Sequence, residues 1–202
     1  MSNPSNNRKQ QIIDVTAKQF REKGFAASSM RDLASELGME AASLYYHIKS
    51  KDELLEIICF EMSEKFISSL KEVNDIYFNA EEKLRMAIKN HVQIITSNID
   101  KAAVFFNEWR HLTGQNLDEF KRQRHVYENE IREIIKQWQN ENLFDDVDSK
   151  FATLTIFSTV NWVYQWYEPN GEMTSDKIAD SISDFILNGL RKKLVTDINF
   201  KN

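Results

Sequence analysis

Between Ser29 and Lys51 the chain concentrates side chains suited to holding a phosphodiester rather than to breaking a bond. Ser29 and Ser43 offer hydroxyls, Tyr45 and Tyr46 phenols, His47 an imidazole and Lys51 an ammonium. A hydroxyl at a helix start can hydrogen-bond a phosphate beside unpaired backbone N–H groups. An ammonium in a first helical turn adds to the positive end of the helix dipole. Ala41, Ala42 and Ser43 are small enough to let a helix lie deep in a major groove.

Signals for bond-making chemistry are incomplete by comparison. Ser68-Ser69-Leu70-Lys71 spells S-x-x-K, but its companion motifs are missing and the segment reads as helix. Glu108 and His111 give one E-x-x-H, where a di-iron bundle needs two and further carboxylates. His47, His91, His111, His125 and Cys59 have no zinc-ligand spacing, and no glycine-rich phosphate loop is present. The expectation is a non-enzyme with no cofactor and no metal.

A second constellation lies further on. Trp109, Trp162 and Trp166 fall in two helical segments with Phe105, Phe106 and Phe157, and aromatic walls suit an acyl chain or a flat ring system. Arg110, Lys121, Arg122, Arg124 and His125 are near in sequence, and guanidinium groups can take phosphate bidentately. Asn161 and Gln165, one turn apart, can hydrogen-bond an amide or thioester. The bland alternatives are that the aromatic stripe is core and that the basic run is a solvated helix face.

The elements that must position these groups read as helices throughout. Two prolines and five glycines in 202 residues leave little to interrupt them. Ile13, Ala17 and Phe20 recur at the spacing of one buried face, and Gly24 stops that first helix. Ser29 with Asp32, Ser50 with Glu53 and Asn79 with Glu82 mark helix starts, and Gly38 makes a turn between the second and third helices. A long fourth helix starts near Lys51. Leu84, Ile88, Val92, Ile95 and Ile99 line a fifth. A sixth ends before Gly114, a seventh runs from about Leu117 to Asn140, and Asp146 or Asp148 caps an eighth that reaches Tyr167. Pro169 and Gly171 precede a ninth, from about Ser175 to Lys193. The expected fold is all-α, with about nine helices in two domains, residues 1–54 and 55–202.

Bulk numbers limit the partners. Net charge is −5, so any DNA contact is a local patch. Residues 1–55 hold eight Lys and Arg against seven Asp and Glu, and the remainder is acidic. A single cysteine fits a reducing cytoplasm, and no apolar run reads as a membrane span. Two short helices around a glycine turn, the second carrying an aromatic pair, are the layout of a helix-turn-helix.

The motifs Gly24-Phe25, Ser29-Met30-Arg31-Asp32-Leu33-Ala34, Leu37-Gly38-Met39, Ser43-Leu44-Tyr45-Tyr46-His47 and Ser50-Lys51-Asp52-Glu53-Leu54-Leu55 together resemble the TetR family of transcriptional regulators over roughly residues 8–58. The resemblance implies a dimeric, ligand-responsive repressor that reads a palindromic operator, with Ser29, Ala42, Ser43, Tyr45, Tyr46, His47 and Lys51 at DNA-contact positions. It departs from the pattern at Glu40, where Ser or Thr is usual, at Ala42, where Gly is common, and at Ile48, which replaces Phe. A carboxylate at Glu40 either points to solvent or accepts from a cytosine amino group.

The stretches Asn161-Trp162-Val163-Tyr164-Gln165-Trp166-Tyr167 and Glu108-Trp109-Arg110-His111-Leu112 look like the subgroup that senses acyl-CoA thioesters. That resemblance places Phe105, Trp109, Arg110, Arg124, Tyr127, Asn161, Trp162, Gln165 and Trp166 around the effector. The last two helices are the expected homodimer interface, and a ligand tilting the fourth helix would change the separation of the two reading helices, about 34 Å on DNA. Two other readings stay open. One is a repressor of an efflux system sensing a hydrophobic or cationic compound; the other is a helical interaction module that does not bind DNA.

Overall fold

The computed structural model describes residues 4–76, 78–141 and 147–190, with side chains from residue 7 onward. All the regular elements among them are helical: α1 (Pro4–Lys23), α2 (Met30–Glu36), α3 (Ala41–His47), α4 (Lys51–Asp75), α5 (Ala80–Thr96), α6 (Ile99–Asn107), a 3₁₀ turn (Trp109–His111), α7 (Gly114–Asn140), α8 (Ser149–Asn161), α9 (Val163–Trp166) and α10 (Ser175–Leu190). The expected eighth helix is α8 followed, after a break at Trp162, by the single turn α9, and the expected sixth is α6 followed by the 3₁₀ turn; the other seven correspond one to one.

Local chemistry sets the helix starts. The Ser29 and Ser50 hydroxyls accept from the backbone N–H groups of Asp32 and Glu53, and Asn79 and Glu82 form a reciprocal capping box. Asp148 caps α8 by accepting from the Phe151 N–H at 2.7 Å, while Asp146 lies outside the described residues, as do the last residues expected of the ninth helix. Gly24 and Gly38, with φ of 81° and 61°, make the turns that end α1 and α2, where a residue with a Cβ would be strained.

Helices α1–α3 form a small bundle whose core includes Ile13, Phe20, Leu33 and Leu44, and that core runs without a break into the larger bundle. Helix α4, 25 residues and about 37 Å long, joins the two. The division expected at 54/55 falls within it, where Leu54 and Leu55 are both buried. Helix α4 packs on α5, α6 and α7, α8 packs on α7, and α10 on α5. Helix α6 lies directly against α1. Arg21 pairs with Asp100 at 2.8 Å, and Lys101 with Asp14 at 3.0 Å and Glu61 at 3.4 Å, which ties α6 to α1 and α4. Among the described residues no helix is long and apolar enough to cross a membrane.

Candidate nucleic-acid interface and effector cavity

Helix α3 buries only Leu44. Ala42 and Ser43 are exposed, Tyr45 and Tyr46 are 53% and 87% exposed, and His47 is half-buried with its ring edge-on to Tyr46 at 5.2 Å. One leucine thus anchors the helix while its small residues and aromatic tips face outward, the arrangement needed to enter a groove. Glu40 sits at the N-terminus of α3, exposed and without a capping hydrogen bond.

Two expected contact residues are placed differently. The Ser29 hydroxyl is committed at the start of α2, accepting from the Asp32 N–H at 3.2 Å and donating to the Asp32 carboxylate at 2.6 Å. Lys51 is engaged within the chain. Its ammonium donates to the carbonyls of Phe25 at 3.0 Å, Ala26 at 3.4 Å and Ser28 at 3.1 Å, and lies 4.4 Å from the centre of the Phe25 ring. An ammonium has three donors. With all three directed at carbonyls, this side chain clamps the 24–28 turn.

The same turn is held from the other side by the larger bundle. Glu108 accepts from the Phe25 N–H at 3.2 Å, and His111 stacks on the Phe25 ring with centroids 5.0 Å apart. Glu108 also faces α4: burial first, and its carboxylate second, push the Cys59 thiol up to about 12. Phe25 is therefore gripped by both Lys51 and the segment that follows α6.

Helix α6 leads from that grip to a cavity of about 100 Å³ enclosed by α4, α5, α6, α7 and α8. Phe66, Phe105, Phe106, Tyr127 and Phe157 make an aromatic cage around it. His91, on α5, stacks on Phe66 at 4.4 Å and bridges two walls: one ring nitrogen is 3.0 Å from the Tyr127 hydroxyl and the other 2.9 Å from Asn161 Oδ1. An amide oxygen only accepts, so Nε2 carries the proton and the phenol donates to Nδ1. Burial lowers the His91 pKa to about 4, and burial raises that of Tyr127. Both groups are uncharged at neutral pH.

Arg124 also lines the cavity. Its guanidinium lies 5.0 Å from the Trp109 ring centre, and that of Arg110 lies 4.7 Å from it. Burial, then the charge of Arg110, lower the Arg124 pKa, with Glu128 acting the other way. Neither arginine makes a salt bridge among the described residues. Two cations share one indole beside a cavity mouth, with a single carboxylate to offset them.

Comparison with known proteins decides the family. The profile described as bacterial regulatory proteins, tetR family, matches residues 12–58, and that of the tetracyclin repressor-like C-terminal domain matches residues 78–190, more than half of the chain. The chain belongs to the TetR family. It is a DNA-binding transcriptional regulator and not an enzyme.

Among similar proteins is the HTH-type transcriptional repressor KstR2 of Rhodococcus jostii (strain RHA1), 23% identical over 192 residues that cover 91% of each chain. The structure of the TetR family regulator PfmR from Thermus thermophilus aligns with a TM-score of 0.80 and 28% identity, covering 90% of this chain and 100% of that one. AibR, solved in complex with isovaleryl coenzyme A and operator DNA, aligns with a TM-score of 0.78 and 26% identity, covering 88% and 97%.

Within this TetR-type bundle the expected effector residues separate into two groups. Phe105, Arg124, Tyr127 and Asn161 line the cavity, and Trp109 and Arg110 adjoin it through Arg124. Trp162, Gln165 and Trp166 do not line it. The break at Trp162 ends the face that Asn161 belongs to, leaving Trp162 60% and Trp166 44% exposed and Gln165 donating to the Tyr164 hydroxyl at 2.8 Å. In their place the cavity uses His91, Phe66 and Phe157. His91 had a readable signal, since it stands seven residues after Leu84 and three after Ile88, on the apolar face of α5.

Proposed function

We propose that this regulator is a homodimeric repressor whose two α3 helices grip a palindromic operator, and that a CoA thioester entering the α4–α8 cavity releases it. The observation that carries the effector class is the pair of guanidiniums on Trp109. Arg110 and Arg124 are both exposed and make no salt bridge among the described residues, so a phosphate anion can reach them and take bidentate hydrogen bonds. The aromatic cage next to them suits an acyl group. The likeness to AibR, solved with isovaleryl coenzyme A and operator DNA, supports the same reading. Two arginines against one carboxylate disfavour the cationic compounds of the efflux alternative.

The dimer face is supported by exposed apolar groups. Phe151 and Leu154 share one face of α8 and Trp162 follows its end, all exposed, and Phe185 is 80% exposed on α10 beside Gly189, whose missing side chain leaves open space. A second copy packing α8 and α10 on their equivalents would cover these groups and set the two reading helices one DNA turn apart. Leu154 belongs to both that exposed face and the cavity wall, so the partner would close one side of the effector site.

The route from effector to DNA runs along α6. An occupant that displaces Phe105 or Phe106 moves the helix whose C-terminus holds Phe25 through Glu108 and His111. That shift re-aims α2 and α3, and both half-sites are no longer in register. Ligand and DNA then oppose each other reciprocally. Operator fragments selected from random duplexes, titrated with CoA thioesters and with the matching free acids, test this. Release by thioesters alone supports the reading; release by neither, or by lipophilic cations, removes it.

A further inference from the structure

The aromatic cage contains one polar corner, and its hydrogen-bonding capacity is not fully used. His91 spends Nε2–H on Asn161 Oδ1 and Nδ1 on the Tyr127 hydroxyl. Asn161 lines the cavity, and its amide N–H groups have no partner among the described residues. The other polar pair in the wall is satisfied: Ser63 donates to Gln123 Oε1 at 2.6 Å, and Gln123 in turn donates to Glu119 at 2.8 Å. The corner therefore offers a pinned, neutral donor. Asn161 is fixed by a histidine that is itself fixed by a tyrosine and by stacking on Phe66.

Size is the second constraint. A dry cavity of about 150 Å³ is known to admit benzene, with six carbons. At about 100 Å³ this one has room for roughly four or five non-hydrogen atoms by the same measure. Phe157 sets the limit on the α8 side, its ring centroid 6.0 Å from that of His91 and 5.6 Å from that of Tyr127.

We infer that the effector site selects a short, uncharged acyl group, whose carbonyl oxygen accepts a hydrogen bond from the Asn161 amide that His91 and Tyr127 hold in place. The inference rests on the CoA-thioester reading above and narrows it. A carboxylate at that corner would face an un-ionised imidazole and phenol, and the one cation of the wall, Arg124, already has Glu128 acting on it. A long chain would collide with Phe157.

The test is direct titration of the full-length protein by calorimetry with CoA, butyryl-CoA, octanoyl-CoA, lauroyl-CoA and succinyl-CoA. Butyryl-CoA is expected to bind at least tenfold more tightly than lauroyl-CoA, and also more tightly than succinyl-CoA, which has the same four-carbon chain but carries a terminal carboxylate. Phe157→Ala should move the preference to octanoyl-CoA. Asn161→Leu should remove the advantage of butyryl-CoA over CoA. Tightest binding of lauroyl-CoA or of succinyl-CoA overturns the inference while the CoA reading stands. No binding by CoA or by any thioester ends both. The series on the unsubstituted chain decides the point even if either variant fails to fold.

Discussion

The reading head and the effector bundle handle their polar groups in opposite ways. In α2 and α3 polar side chains make short-range bonds at helix starts or stay in solvent, as Ser29 and Tyr46 show. In the bundle, His91 is buried and joins Tyr127, 36 residues away, to Asn161, 70 residues away. A DNA reader must keep its donors available for a partner. An effector site must hold them fixed in advance, because an unpaired buried group costs about 1–3 kcal/mol. The difference teaches that one surface waits for its ligand in water while the other is prepared inside the core.

Each half of that comparison can be broken. The largest effect is expected at the anchor of the reading head: Leu44→Ala removes the only buried side chain of α3 and should cost about 2–5 kcal/mol, seen as a lower denaturant midpoint together with loss of operator binding. If stability is retained, α3 is not held by that residue.

Next is the buried histidine. Its pKa is lower in the folded chain than the ordinary 6.5, so between pH 6.5 and about 4 the unfolded chain binds a proton that the folded chain refuses. Stability should therefore fall on acidification through that window, by roughly 3 kcal/mol at most. His91→Gln should flatten this part of a pH-dependent melting curve.

The link between the halves comes third. Glu108→Ala removes the acceptor for the Phe25 N–H. It should reduce the effector-induced change in operator affinity at least fivefold, within the usual 1–3 kcal/mol of a coupling energy, while direct CoA binding is retained. Tyr46→Ala should weaken operator binding about tenfold, near 1.4 kcal/mol, with an unchanged melting temperature, since the ring is almost wholly exposed. The smallest effect is at the turn: Gly38→Ala meets no neighbour but must adopt a positive φ, and should cost about 1 kcal/mol.

How much was legible depends on the range of the interactions. Ser50, Asn79 and Asp148 declared their helix starts because a cap is settled within three residues. Gly24 and Gly38 declared their turns for a similar reason. The outward face of α3 followed from one apolar position, Leu44, among small and polar neighbours. The effector residues were only partly readable. Phe105, Arg124, Tyr127 and Asn161, grouped by type, line one cavity, whereas Trp162 and Trp166 lie outside it: aromatic identity says nothing about a helix break. Lys51 gave no sign of its engagement because the three carbonyls that accept its hydrogen bonds lie 23 to 26 residues earlier.

The sequence by itself determined an all-helical chain, the positions of its helix starts and turns, and the short helix that leaves its tyrosine pair exposed. These follow from caps, periodicity and backbone preferences that act over a few residues. Only the tertiary structure decided that His91 is the centre of the cavity, that the tryptophans of the α8–α9 break lie outside it, and that Glu108 and Lys51 hold Phe25 from opposite sides. Those facts depend on how helices far apart in the chain pack together, and packing is fixed by the shape of the whole core rather than by any local run of residues.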